Sequence, residues 1–125
     1  MTLILDAGPL IAFERGDRLV RAFLERALRD DVEVRTTTAV VAQTWRNPAR
    51  QAALVRLLRG IDEQELTRAR SRSVGVLLAE STSTDIADAS VVEIARDGDE
   101  ILTSDPDDIV SLAKAAGKMV MVTPL

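Results

Sequence analysis

Short apolar runs alternate along this chain with longer stretches whose apolar positions recur every three or four residues. Leu3-Ile4-Leu5 is a continuous apolar run that stops at Asp6, the pattern of a strand buried on both faces. Gly8-Pro9 turns the chain, and Pro9 opens a short helix through Phe13. Asp17 reads as the N-cap of a helix with Leu19, Val20, Phe23, Leu24, Ala27 and Leu28 on one stripe, broken at Asp30-Asp31. Val32, Val34 and Thr36 then alternate with Glu33 and Arg35, as in a second strand. Thr38 is placed to cap a helix to Trp45, and Asn47-Pro48 to start another that reaches Leu58 before Gly60. A very short strand is expected at Glu65 to Thr67, then a helix from Arg68 to Ala79 that Gly75 weakens.

The polar loop Ser81-Thr82-Ser83-Thr84 leads into a helix from Ile86 to Arg96. Ile101-Leu102-Thr103 is a strand, Asp107 to Ala116 a helix ending at Gly117, and Met119 to Val122 the last strand. Strands alternating with helices predict an α/β protein with a central, mostly parallel five-stranded sheet covered on both faces. Residues 1–125 carry no repeat, low-complexity tract or linker, so a single domain is expected. In such sheets ligands bind beyond the carboxyl ends of the strands. Asp6 and Asp105 sit just past the ends of two predicted strands, which marks where a site should be.

Composition narrows the chemistry. Sixteen basic and 20 acidic residues leave a net charge of −4, not the footprint of a protein that coats nucleic acid. Arginine far outnumbers lysine, which suits bidentate phosphate contacts and is equally a mark of GC-rich coding. The absence of Cys excludes disulfides, thiolate catalysis and cysteine zinc sites. The absence of His removes the commonest general base and the histidine-pair route to RNA cleavage. Carboxylates must carry any reaction. No apolar run reaches membrane-spanning length and Asp6 interrupts the first one too early for a signal peptide, so a soluble, cytoplasmic protein with no membrane contact is expected.

The acids have an order. Asp6 is either a rigidly held metal ligand or the cap of the helix begun at Pro9. Asp88 shares a helical stripe with Val91, Val92 and Ala95, while Ser90, Glu93, Arg96 and Asp97 take the polar side. A carboxylate on an apolar stripe is costly to bury unless it is paired or holds a metal. Asp85 and Asp88 could alternatively form a variant capping box. Of the loop Asp105, Asp107 and Asp108, Asp105 is the best ligand candidate, Asp108 the second, and Asp107 faces solvent. Three or four carboxylates at one strand edge invite a divalent cation, and oxygen-only ligands suit Mg²⁺ or Mn²⁺. Such ions activate water and stabilise in-line displacement at a phosphodiester.

Leu5-Asp6-Ala7-Gly8-Pro9-Leu10-Ile11 resembles the opening strand and turn of PIN domains. Thr84-Asp85-Ile86-Ala87-Asp88-Ala89-Ser90-Val91-Val92 resembles their third-acid helix, and Leu102-Thr103-Ser104-Asp105-Pro106-Asp107-Asp108 their fourth-acid loop. Order, spacing and length are similar to VapC-type toxins over essentially the whole chain. The resemblance implies a three-layer α/β/α domain and Mg²⁺- or Mn²⁺-dependent cleavage of RNA. It also implies a homodimer, a cognate antitoxin, and DNA contact only through that antitoxin. Asp6, Asp88 and Asp105 would be catalytic metal ligands, with Asp85 and Asp108 as secondary candidates. The second acid of the family, usually Glu, falls at Gln43, which keeps an oxygen able to ligate directly or through water but supplies no charge. Asp85 could replace the missing charge.

Arg46 and Arg50 are candidates for RNA phosphates or acidic antitoxin residues, against the plainer reading of a solvated face. Trp45 suits a core or dimer-interface anchor better than a base-stacking platform. The main alternative is a PIN-fold module that binds RNA or a partner but cuts weakly or not at all because of Gln43. A phospho-acceptor receiver domain would want an acid pair after the first strand and a lysine after the last. Here Asp6 stands alone and Lys118 precedes the last strand. A phosphatase of the Asp-x-Asp type fails because residue 8 is Gly.

Overall fold

The computed structural model describes residues 1–125, and its strands form one five-stranded sheet. In chain order they are β1 (Thr2–Leu5), β2 (Glu33–Thr37), β3 (Asp62–Gln64), β4 (Glu100–Thr103) and β5 (Met121–Pro124). The spatial order is β3-β2-β1-β4-β5 and every pairing is parallel. The sheet is therefore wholly parallel, where the pattern predicted mostly parallel. Its central strands are apolar as that arrangement requires: Leu3, Ile4, Leu5, Ile101 and Leu102 are all buried. The edges are poor templates for pairing with another chain. β3 has three polar residues, and β5 carries Pro124.

Seven helices complete the three-layer α/β/α architecture. They are α1 (Ala7–Glu14), α2 (Arg18–Arg29), α3 (Thr38–Thr44), α4 (Ala52–Gly60), α5 (Arg68–Glu80), α6 (Ile86–Ile94) and α7 (Pro106–Ala116). α1 packs on α2, α3 and α4; α5, α6 and α7 pack on one another, and α6 also meets α3 and β2. α6 is the most enclosed helix, with Ala87 to Val92 all buried. A helix buried over six consecutive residues has no polar face there, so any charge it carries in that stretch must be accounted for.

Several local expectations change. Thr37, not Thr38, caps α3 by accepting from the Val40 amide, and the Thr38 hydroxyl accepts from the Leu66 amide instead. That bond and the cap Thr67 places on α5 occupy the stretch expected to be a strand, and β3 lies earlier, at Asp62–Gln64. The helix expected from Asn47-Pro48 is divided into a 3₁₀ turn (Pro48–Arg50) and α4. The divider is buried Gln51, whose amide oxygen accepts from the Arg46 and Asn47 amides while its nitrogen donates to Thr44 O and Glu14 Oε2. α6 ends at Ile94, and β5 starts two residues later than Met119.

Burial also redraws two faces. Leu19 and Leu28, expected on the apolar stripe of α2, are 77% and 80% exposed, because the helix buries only Val20 and Ala27 fully. Ser90, expected on the polar side of α6, is buried. Its hydroxyl donates to Ala87 O at 2.6 Å and accepts from Thr37 Oγ1 at 2.7 Å, so the polarity is satisfied inside.

Candidate functional site

The sheet order places β1 and β4 side by side where the strand sequence reverses direction, the crevice in which open parallel sheets bind ligands. The register pairs Leu5 with Leu102, so Asp6, just past the end of β1, comes beside Thr103, the last residue of β4. Asp6 is buried and caps α1, its Oδ1 accepting from the Ala7 amide at 2.8 Å. Its Oδ2 accepts from Thr103 Oγ1 at 2.7 Å, and the same hydroxyl accepts from the Asp105 amide at 2.9 Å. One threonine thus fixes two acids from neighbouring strand ends. The turn after β1 must also run close to the loop after β4. A Cβ on Gly8 would fall on the Ser104 hydroxyl and 2.8 Å from Ser104 Cβ, so only glycine fits.

Asp88 stands in the first turn of α6, buried at 5% exposure. Its amide donates to Asp85 Oδ1 at 2.9 Å, so Asp85 is the N-cap that starts the helix. Ligand oxygens of Asp88, Asp105 and Asp108 all lie within 4.8 Å of one another, one residue buried, one exposed and one between. Asp105 begins α7, yet its carboxylate makes no capping bond and stays free for the cluster. Asp108, in the first turn of α7, is held by Ser83, whose hydroxyl donates to Asp108 Oδ2 at 2.7 Å.

The three buried aspartates of the chain differ in how their charge is satisfied. Asp99 accepts from the Thr2 and Arg96 amides, one on each oxygen, and ties the start of β1 to the approach to β4. Asp6 has both oxygens bonded as well. No N–H or hydroxyl of the protein donates to the carboxylate of Asp88, which faces the neighbouring acids instead. Its pKa is accordingly pushed up to about 9, chiefly by burial, then by hydrogen bonding with Asp108, and further by Asp6 and the charge of Asp85. No ion pair reaches any of these acids; the four salt bridges all lie elsewhere.

This donor set fits a hard divalent cation. It offers carboxylate oxygens only, and opposite ligands of an octahedral Mg²⁺ are roughly 4.2 Å apart, close to the spacing here. Asp88, Asp105 and Asp108 are the residues whose oxygens would meet one ion, with Asp6 against Asp88 and Asp85 one turn away.

The remaining sequence candidates stand differently. Gln43, on α3, is exposed and its side chain bonds to nothing in the protein. Arg46 turns back on its own chain, donating to Ala42 O and Trp45 O, and Arg50 is exposed at the end of the 3₁₀ turn. Trp45 is 37% exposed, at the C-cap of α3. Two residues that organise the acids were not singled out from sequence: Thr103 and Ser83. Each is a hydroxyl two positions before an aspartate, a weak signal that gains meaning only once the segments meet.

No protein-family model and no curated protein matches this sequence. Among solved structures, a chain of VapBC2 from Rickettsia felis, determined bound to a DNA fragment from their promoter, superposes with a TM-score of 0.67. The match covers 98% of this chain and 99% of that one at 11% identity, a likeness of fold alone. The chain thus has the three-layer, PIN-like α/β/α fold that its sequence motifs implied.

Proposed function

We propose that the protein is a Mg²⁺- or Mn²⁺-dependent endoribonuclease, the toxin of a toxin–antitoxin pair, with Asp6, Asp88 and Asp105 as its catalytic acids and Asp108 beside them. The observation that carries this reading is Asp88: a buried carboxylate with no donor of its own, facing other carboxylates whose oxygens lie within 4.8 Å. Such a group costs stability in the protein alone, and it becomes favourable when a cation arrives. The fold shared with VapBC2 supports the toxin assignment and an antitoxin partner.

A bound divalent ion would supply Lewis-acid stabilisation of the phosphoryl charge and a water acidic enough to attack. The chain's own part is positional. Asp88, Asp105 and Asp108 converge to hold the ion, and Thr103 keeps Asp6 and Asp105 from swinging apart. With a net charge of −4, RNA must be held by local contacts, for which Arg46 and Arg50 are candidates. An antitoxin segment bearing Arg or Lys could inhibit by placing its cation among the same acids. Assembly as a homodimer, cytoplasmic location and DNA contact only through the antitoxin belong to the same reading.

Gln43 favours a second reading, a PIN-fold module with weak or no cleavage, since the sequence resemblance sets this uncharged residue, whose side chain is unattached, where the family has an acid. The two readings part in one assay. Purified protein is incubated with RNA in Mn²⁺, in Mg²⁺ and in EDTA, beside Asp88→Asn. The nuclease reading expects cleavage that EDTA abolishes and that Asp88→Asn lowers at least about a hundredfold. Cleavage surviving in EDTA, or undiminished in the variant, would sink the metal mechanism; no cleavage in any metal favours the module.

A further inference from the structure

We propose that Ser83 is a positioning residue which selects Asp108, rather than its neighbour Asp107, as the third carboxylate of the cluster. The inference rests on the metal-site reading above and names a residue outside the acids themselves. Ser83 lies in the loop between α5 and α6 and is buried at 7% exposure, although it is small, polar and flanked by exposed threonines. Burying a hydroxyl in a loop needs a reason, and helix capping does not provide it. The cap of α6 is Asp85, which accepts from the Asp88 amide.

The hydroxyl has one proton to give, and it gives it to Asp108 Oδ2 at 2.7 Å, across 25 positions of sequence. With its lone pairs it accepts from the Asp85 amide at 3.1 Å, and its own amide donates to Ser81 Oγ at 3.2 Å. Ser83 therefore joins the segment that starts α6, and with it Asp88, to the first turn of α7. Asp107 and Asp108 are adjacent in that turn, so a helix presents them about 100° apart. Either carboxylate would be favoured there by the helix dipole, so the dipole does not choose between them. Asp107 is exposed and makes no bond, whereas Asp108 is half-buried and tied on one oxygen. Oδ1 of Asp108 has no donor from the protein's neutral groups and stays available to a cation. An ionised acceptor makes a strong hydrogen bond, and one oxygen held that way fixes the direction of the other.

Partners that orient ligands in this manner commonly change metal affinity by about 10- to 100-fold when removed. The test measures Mn²⁺ binding by calorimetry, and the melting temperature in EDTA, for the wild type, Ser83→Ala, Ser83→Thr, Asp107→Asn and Asp88→Asn. Ser83→Ala should weaken Mn²⁺ about tenfold or more. Ser83→Thr, which keeps the hydroxyl, should bind within about threefold of the wild type, and Asp107→Asn should bind as the wild type does. A Ser83→Ala protein that binds Mn²⁺ unchanged overturns the proposal. So does a loss that Ser83→Thr fails to restore, or an Asp107→Asn loss as large as that of Ser83→Ala. These failures differ from failure of the metal reading itself. A wild type that takes up no Mn²⁺, or an Asp88→Asn variant that binds it normally, refutes that reading and the role of Ser83 with it.

Discussion

Replacing Asp88 by asparagine should stabilise the metal-free protein while it removes the proposed chemistry. The carboxyl has an ordinary pKa of 3.8 and is pushed up to about 9 in the fold. At pH 7 the unfolded chain would release the proton that the folded chain retains, a difference of 7 − 3.8 = 3.2 units. The full linkage cost is on the order of 4 kcal/mol. Relaxation of the site and water reaching the carboxyl bring the expected penalty to about 1–3 kcal/mol. Asparagine keeps the shape and the hydrogen-bond donor without the penalty. For a domain of this length the gain corresponds to a rise in Tm of roughly 4–12 °C. The sign with pH follows from the raised pKa. The folded state binds the extra proton, so Asp88 costs nothing below about pH 3.8 and costs progressively more as pH rises toward 9. At pH 5 the difference is only 5 − 3.8 = 1.2 units, so the advantage of the variant should fall to about a third to a half of its pH 7 value. Calorimetric melts in EDTA at both pH values check this. A variant less stable than wild type at pH 7, or an advantage that grows on acidification, would refute the reasoning.

Two further substitutions test the frame around the acids. Gly8→Ala places a Cβ against the Ser104 hydroxyl and 2.8 Å from Ser104 Cβ, and it should cost about 1–3 kcal/mol in urea melts. Adding Ser104→Gly should restore most of that loss, and a double variant no more stable than the single one would place the clash elsewhere. Gln43→Glu adds a charge at the position that the sequence resemblance to PIN domains aligns with an acid. It should lower the Mn²⁺ concentration for half-maximal RNA cleavage, and an unchanged metal titration would remove Gln43 from the site.

Much of the fold was legible because its signals are local. Leu3-Ile4-Leu5 ending at Asp6 and Ile101-Leu102-Thr103 ahead of Asp105 declare buried parallel strands with acids at their carboxyl ends, and both strands form. The placement of Asp88 could be read from Val91, Val92 and Ala95, which share its burial. What sequence could not supply was competition between partners. The cap of α3 was open to Thr37 or Thr38, and only the arrival of Leu66 shows why Thr38 is occupied elsewhere. Gln51 divides a helix because Glu14, 37 residues away, and the Thr44 carbonyl both take its amide. Of the acids, Asp6, Asp88 and Asp105 stood out in sequence, but the closest three-oxygen set is Asp88, Asp105 and Asp108. Asp108 joins it through Ser83, a bond between loops that no periodicity encodes.

The acids reach the crevice from three segments, and this links the site to the fold as a whole. Asp6 follows β1, Asp88 starts α6, and Asp105 and Asp108 open α7. None of these segments can bring the others' oxygens together in the unfolded chain, so an ion held by all of them binds the folded state almost exclusively. A ligand at a hundred times its Kd then adds about 2.7 kcal/mol to stability. That is similar in size to the cost expected for burying Asp88 without an ion. In the proposed reading the metal-loaded wild type and the metal-free Asp88→Asn variant should therefore be about equally stable. The metal-free wild type falls below both, because its acids are assembled by Thr103, Ser83 and the β1–β4 register with no cation to offset their repulsion. Stability at this end of the sheet is thus lower than the apolar core alone would give, and it depends on what occupies the crevice.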